Sequence, residues 1–381
     1  MVFTRIKIDN FYMFKDFDIN FIVPKKIDNI LLEEERYIYG KNLNYKKVNI
    51  ILGGNASGKT TFGAFLNLLQ NMIRGKSVNL AAIIYDKKRI AKAEIEFLIH
   101  NHIFRYKVEV KEDNVKEFFK CVKIFETNNY NKLQNKLAKA DWIVKMTTGE
   151  LADFQSQLVN EKITMDNNNI IIKNYLDFGI SFNYLLANYE QQTNGKSKKL
   201  ELIELFLKSI DPSIKKTHKI KVDDEETDNY LIEFNNGEKI IVPDGDPNKI
   251  DKGRLSQGTI EALAVADLIA TKDQYNLVYL DERLASMHSE LANAIVTKLI
   301  ALTYNFQQLF ITSHDENILD LNLPNHSFVF LKREEYIKVI NPEKTLNKND
   351  RELRNYYRND FFESQPNYDE IWNLEVNDIE S

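Results

Sequence analysis

Residues 49–62 read NIILGGNASGKTTF, and Gly53, Gly58, Lys59 and Thr60 fall in the spacing G-x-x-x-x-G-K-T. In a loop of this kind backbone N–H groups converge on phosphate oxygens and the lysine reaches the β- and γ-phosphates. The hydroxyl, here that of Thr60, sits on Mg2+. The pattern needs a buried strand before the loop and a helix after it. KKVNIIL is a short apolar strand, and TTFGAFLNLLQNMI carries Phe62, Phe65, Leu66, Leu69 and Ile73 on one helical face. A chance glycine turn ahead of a core helix is the weaker reading of the same residues.

The second half of such a site lies downstream. In NLVYLDERLASMH, Leu277, Val278, Tyr279 and Leu280 make a buried strand that ends in Asp281, the position that supports the Mg2+ shell. Glu282 follows, placed to polarise an attacking water. Ligands that gather at strand C-termini are characteristic of an open parallel α/β sheet. In RLSQGTIEALAVADLIA, Ser256, Gln257 and Gly258 stand at a helix start. Ser256 is a good N-cap, and the helix N-terminus offers N–H donors and positive dipole to an anion. QLFITSHDENIL ends another apolar strand at Thr312, Ser313 and His314, where the histidine is placed to sense a γ-phosphate.

The bulk of the sequence sets the class. Its 381 residues suffice for one large or two modest domains, and 43% hydrophobic with 28% charged residues is ordinary for a globular protein. A formal charge of −5 argues against a chain wrapped generally in nucleic acid, though local basic patches remain. Cys121 is the only cysteine, which excludes an intrachain disulfide and a cysteine-built metal site and fits a reducing compartment. The opening MVFTRIKIDNFYMF lacks the pattern of a secretory signal, and no apolar run approaches the roughly 18–20 residues of a membrane span. A cytoplasmic protein without membrane association is expected.

Along the chain, Ile6 and Ile8, then Phe17, Ile19 and Phe21, alternate as two strands joined by a turn. The charged run PKKIDNILLEEERYIYGKNLNYK reads as a surface excursion. AEIEFLIHNHIFRYKVEV is a hairpin whose tip holds His100 and His102, with no third ligand to make them a metal site. The stretch from 115 to 215 carries helical periodicity in YNKLQNKLAKADWIV, ELADFQSQLVNEKI and KLELIELFLKSI, and is expected to be a helical insertion. THKIKVDDEETDNYLIEFNNGEKIIVP reads as three strands; its acidic DDEETD lacks EF-hand spacing and is taken as a solvated turn.

Taken in order, GGNASGKTT, LSQGT, LVYLDE and TSH resemble the motifs of an ABC-type ATPase head, of the SMC, RecF and OLD-like branch. IKIDNFYMFKDFDINF resembles the opening hairpin of that branch. DERLASMHSEL and the tail ELRNYYRNDFFESQPNY resemble the small RloA/AbiLi-like AAA-family ATPases of phage-defence loci. The resemblance covers both ends and the core; the stretch 115–215 matches only in kind.

The fold implied is an α/β head with a mixed sheet and an antiparallel β subdomain. Its boundaries are 1–114 and 216–345 around the insertion, with a helical tail at 346–381. The resemblance assigns Gly53, Asn55, Ser57, Gly58, Lys59, Thr60 and Thr61 to ATP phosphates, and Thr60 with Asp281 to Mg2+. It makes Glu282 the catalytic base and His314 the switch histidine. Ser256, Gln257 and Gly258 would bind the γ-phosphate of ATP held by a second protomer, so a homodimer or higher oligomer with composite sites is implied. His288 would lie in the loop that crosses the interface. Leu284 stands where many relatives carry an acid and Ser289 where they often carry proline. The Q-loop glutamine is open among Gln134, Gln155 and Gln157.

Three functions are expected from these residues. The first is an ATPase, converting ATP and water to ADP and phosphate, that regulates a separate nuclease or toxin effector in anti-phage defence, with a nucleic acid or phage protein as trigger. Only about fifty residues follow Leu331, too few for a nuclease domain. The alternative is a RecF-like DNA-binding ATPase, for which SIKKTHKIK and GKSKK are the basic runs. The third is a nucleotide-gated scaffold with little turnover.

Overall fold

Two patterns of apolar residues build two kinds of sheet. Strands that alternate inward and outward residues pair antiparallel. Strands that are apolar on both faces pair parallel and are covered on both sides. The structure, a computed structural model, describes residues 2–23, 36–39, 42–73, 78–99, 101–142, 144–147, 182–186, 200–222, 225–243, 255–271, 277–304, 307–346 and 353–365.

The chain opens with β1 (Val2–Asp9) and β2 (Phe17–Asn20), then β3 (Arg36–Tyr39) and β4 (Leu43–Lys46). The last two pair as a small hairpin inside the stretch read as a surface excursion. β5 (Val48–Leu52) enters the phosphate loop, and α1 (Lys59–Ile73) leaves it. β6 (Ala91–Ile99), β7 (His102–Lys111) and β8 (Asn114–Lys123) form a meander, followed by α2 (Tyr130–Lys139), β9 (Val144–Thr147), β10 (Phe182–Leu186) and α3 (Leu200–Ile210). β11 (Ile214–Val222), β12 (Glu225–Phe234) and β13 (Lys239–Val242) are the three strands expected. α4 (Gln257–Thr271), β14 (Leu277–Asp281), α5 (Ser289–Leu302) and β15 (Gln308–Ser313) carry the second half of the site. β16 (Phe328–Arg333), β17 (Ile337–Ile340), α6 (Pro342–Thr345) and α7 (Leu353–Arg358) close the described chain.

One sheet has the order β2-β1-β6-β7-β8-β9 and is antiparallel throughout. The other has the order β10-β14-β15-β5-β16-β17, parallel except for the edge strand β17. Together they are the α/β head expected, a mixed sheet with an antiparallel β subdomain. Ile51, Tyr279 and Phe310 point from the mixed sheet toward β1, β6 and α1, in a core with Phe11, Phe14, Phe62 and Phe65. Val48, Ile50, Leu52, Leu280 and Ile311 point to the other face, under Val265 and Leu268 of α4 and Val296 and Leu299 of α5. A third cluster seats α3 and α4 on β11, β12 and β13 through Leu207, Ile232 and Leu263.

The stretch 115–215 departs from the wholly helical insertion expected there. Helices α2 and α3 follow the periodicity, but β8 and β9 extend the antiparallel sheet and β10 pairs with β14. The reason is legible in β8. Val115 and Glu117 are buried while Lys116 is exposed, a period of two rather than 3.6. Residues 148–181 and 187–199, with ELADFQSQLVNEKI and GKSKK, lie outside the described residues, as do His100 and Asp223–Asp224 of the acidic turn. Among the described residues no helix is long and apolar enough to cross a membrane.

Candidate active site

Strand register brings the motifs to one edge. Leu52, the last residue of β5, pairs with Ser313 on β15, and Asp281 at the end of β14 pairs with Thr312. The phosphate loop, the Asp281–Glu282 pair and His314 therefore leave neighbouring strands at the same C-terminal edge.

The loop is tightly wound. Gly53 has φ +156° and Gly58 φ +101°. A Cβ on Gly53 would lie 2.4 Å from Leu331 O and 2.5 Å from Ser57 Oγ, and one on Gly58 would lie 2.5 Å from Ile337 Cδ1. Neither position accepts a side chain. Asn55 and Ala56 are exposed at the loop tip, and Ala56 itself sits at φ +60°. Lys59 is 4% exposed, and its ammonium donates to Gly53 O (2.8 Å) and Gly54 O (3.1 Å) and pairs with Glu282 Oε1 at 3.2 Å. Tyr279 anchors the start of α1 by donating its hydroxyl to Lys59 O (2.8 Å). Thr60 is exposed at the mouth, and Thr61 is half-buried on α1.

Asp281 is buried at the strand end. Burial pushes its carboxyl above the usual aspartate range, and hydrogen bonds from Thr312 and Thr60 oppose the rise. The Thr312 hydroxyl donates to Asp281 Oδ1 at 2.5 Å and accepts from the Glu282 N–H at 3.0 Å. One hydroxyl thus holds the carboxyl of Asp281 and the backbone of Glu282. Glu282 adopts φ +53°, a left-handed conformation costly for a glutamate and concentrated at functional sites. Its side chain faces Lys59 on one side, and His314 Nδ1 lies 3.8 Å from its Oε1.

Ser256, Gln257 and Gly258 open α4, with Ser256 as the N-cap. Thr259 N–H donates to Ser256 Oγ (3.1 Å), and the two hydroxyls lie 2.7 Å apart. The bonds of Ser256 and Gln257 stay within this helix, to Thr259 and Glu261. Ser256 and Gln257 are exposed and leave their surface toward solvent. The loop after Glu282 is tied to α4, since Ser286 N–H donates to Glu261 Oε2 (3.4 Å). Burial lowers the guanidinium of Arg283, and the charge of Glu261 acts against that shift. His288 is exposed immediately before α5, Leu284 packs at the rim of the core, and Ser289 Oγ donates to Asp315 Oδ2 (2.8 Å).

Of the glutamines considered for the Q-loop, Gln134 is committed elsewhere. It donates to Glu96 Oε2 (2.6 Å) and accepts from Arg105 (2.7 Å) on the antiparallel sheet. Gln155 and Gln157 lie outside the described residues. Two residues of the site escaped the sequence reading of roles, Thr312 and Tyr279. Each is a polar-tipped residue inside an otherwise apolar strand, and that is the signal that marks them.

The residues present suit a nucleotide and a divalent cation. The Ser57 hydroxyl is buried with no hydrogen-bond partner among the described residues, inside a cradle that a Cβ at Gly53 would fill. A lysine ammonium faces the same loop, and the adjoining pair of a hydroxyl and a carboxylate, Thr60 and Asp281, is a hard oxygen donor set of the kind Mg2+ takes.

Residues 48–320 match the family model described as "AAA domain, putative AbiEii toxin, Type IV TA system", a stretch that contains the phosphate loop, Asp281, Glu282 and His314. No curated protein matches the chain. Among solved structures, the SMC head domain from Thermotoga maritima is similar at 11% identity and TM-score 0.43, over 90% of this chain and 99% of that one. The SMC head domain with coiled coil and joint from Pyrococcus yayanosii is similar at 7% identity and TM-score 0.47, over 94% and 99%. The recombination mediator protein RecF with ATP is similar at 12% identity and TM-score 0.38, over 89% and 97%. Identities and TM-scores are low in all three, and the family assignment rests on the family model.

Proposed function

Because the chain belongs to this AAA-domain family, matched over residues 48–320, we propose that it binds and hydrolyses ATP as a dimeric switch. The observation that carries the reading is the meeting of Lys59, Asp281, Glu282 and His314 at one sheet edge, with Lys59 and Glu282 3.2 Å apart. Thr60 and Asp281 are the residues that would hold Mg2+, which when bound would neutralise charge on the phosphates. Backbone N–H groups of the loop and the Lys59 ammonium bind the phosphates. To do so Lys59 exchanges its bonds to Gly53 O, Gly54 O and Glu282 for phosphate oxygens. Glu282 is then free to take a proton from water, with His314 beside its carboxylate and Thr312 holding its backbone.

The exposed N-terminus of α4, with Ser256, Gln257 and Gly258, fits a γ-phosphate held by a second copy of the chain. A site split in this way makes ATP favour the closed dimer. Moving a two-state equilibrium from 1:99 to 99:1 takes about 5.5 kcal/mol, and charge-assisted phosphate contacts contribute about 1.5–3 kcal/mol each. The family description names a toxin and a toxin–antitoxin system. In keeping with it, we read this chain as the cytoplasmic ATPase of a bacterial growth-arrest or anti-phage module that controls a separate effector. For the DNA-repair alternative the run SIKKTHKIK offers less free charge than its sequence suggests, because Lys215 pairs with Glu233.

Phosphate release with Mg2+ and ATP, compared between wild type and Lys59→Ala, tests the reading. Turnover in the wild type that is lost in the variant is expected. Equal background release from both would sink it.

A further inference from the structure

The described chain ends beside the phosphate loop. Ser364 O accepts a hydrogen bond from the Gly54 N–H at 3.0 Å, and Ser364 is 4% exposed. Phe362 stacks on Phe330, ring centroids 4.4 Å apart at 15°, and Tyr357 stacks on the same ring at 5.4 Å and 20°. Phe330 pairs in register with Leu52, the residue directly before Gly53. Glu363 forms an ion pair with Lys332, next to Leu331, whose carbonyl walls Gly53. The segment thus grips both the shoulder of the phosphate loop and the strand beside it.

Its other end grips the turn after the switch histidine. Arg354 bonds Asn317 and Asp320 and lies 3.3 Å from Glu316, while Arg358 donates to Glu316 Oε1 at 2.8 and 2.6 Å. Asn317 in turn donates to Asp315 Oδ1 (2.7 Å) and to Ser289 Oγ (3.0 Å), at the start of α5 just past His288. Between the two grips the chain reverses through Asp360 and Glu363, both at positive φ (+48° and +47°). Bonds from the Glu363 N–H to Asp360 O (2.8 Å), the Gln365 N–H to Asp360 Oδ1 (3.1 Å) and Gln365 Nε2 to Tyr357 O (2.6 Å) hold that reversal. Backbone in this region persists where its surroundings over-determine it.

We propose that residues 353–365 form a strap that positions the phosphate loop and the switch-histidine turn relative to each other. Phe362 and Ser364 set the loop for ATP, and Arg354 with Arg358 sets His314 against Glu282. The proposal rests on the ATPase reading above. A single segment with one end on the nucleotide loop and the other on the switch turn carries a rearrangement at one to the other, because packed elements shift as units.

Steady-state ATP turnover by the full chain tests the strap, with melting temperature measured alongside. Phe362→Leu keeps an apolar side chain but loses the stack on Phe330, and is expected to raise the ATP KM about tenfold with kcat nearly unchanged. Arg354→Ala with Arg358→Ala, at partly exposed positions, is expected to lower kcat about tenfold with KM unchanged. Wild-type KM and kcat in both folded variants would overturn the strap, as would a fall in melting temperature with no kinetic change. Should Phe362→Leu fail to fold, the arginine pair decides alone. Absence of turnover in the wild type is a separate outcome, which removes the ATPase reading and the strap with it.

Discussion

Two glutamates show how differently this molecule treats a carboxylate. Glu96 on β6 is 1% exposed and saturated. Arg105 donates to it from Nε at 3.0 Å and from Nη2 at 2.5 Å, Tyr130 OH donates at 2.8 Å and Gln134 at 2.6 Å. Glu282 keeps 31% of its side chain exposed, sits on a left-handed backbone, and has one ammonium at 3.2 Å and one imidazole at 3.8 Å. The first network pins α2 to the antiparallel sheet and has no bond to spare. The second is a set of exchangeable partners around a group that can still reach water. A site that turns over needs the second arrangement, and a buried hub needs the first.

Substitutions at the two should separate stability from turnover. The largest effect is expected from Glu282→Gln, which should lower turnover by about 10²–10⁴-fold while leaving the melting temperature close to that of wild type. A similar rate for wild type and variant would erase the distinction. Glu96→Ala should do the reverse. It removes the carboxylate closest to Arg105, leaving Gln134 and, at 3.8 Å, Glu94, and is expected to cost about 3–5 kcal/mol of stability in a denaturant titration, with ATP KM unchanged in the fraction that remains folded.

Thr312→Val sharpens the comparison at the site itself, because it removes the hydroxyl that holds the Asp281 carboxyl and the Glu282 backbone. A loss of about 10–100-fold in kcat is expected, with little change in KM.

An effect on stability alone is expected at Glu117, a third carboxylate, buried on β8 and accepting a bond from Tyr106 OH at 3.0 Å. Burial pushes it from 4.5 up to about 7. The folded chain therefore keeps a proton that the unfolded chain releases, and stability falls as pH rises from about 4.5 to about 7, then levels. Glu117→Gln should flatten that slope and stabilise the protein at pH 7 by up to about 3 kcal/mol. Melting temperatures of the two proteins across this range check it; parallel curves would show that Glu117 is ionised when folded.

The residues that meet at the candidate site are largely legible in the sequence because the motifs are local. Gly53 to Thr60 must be contiguous to wrap a phosphate, and Asp281 and Glu282 must end an apolar strand. The rest depends on register between distant strands. Nothing near Thr312 announces that it pairs with Asp281, and nothing near Ser364 announces Gly54. Strands β8, β9 and β10 interrupt the helical insertion expected over 115–215 for a related reason. The helical periodicity of α2 and α3 stands out, whereas Val115 and Glu117 alternate over only one strand, with a glutamate on the buried side. Such a pattern identifies β8 only once β7 lies beside it.

The measurement that bears most directly on the account is the mass of Glu282→Gln in solution with and without Mg2+ and ATP, alongside phosphate release. A monomer that becomes an ATP-loaded dimer without releasing phosphate is the expected result. A mass that ignores ATP, in a protein that releases phosphate as fast as wild type, would contradict it.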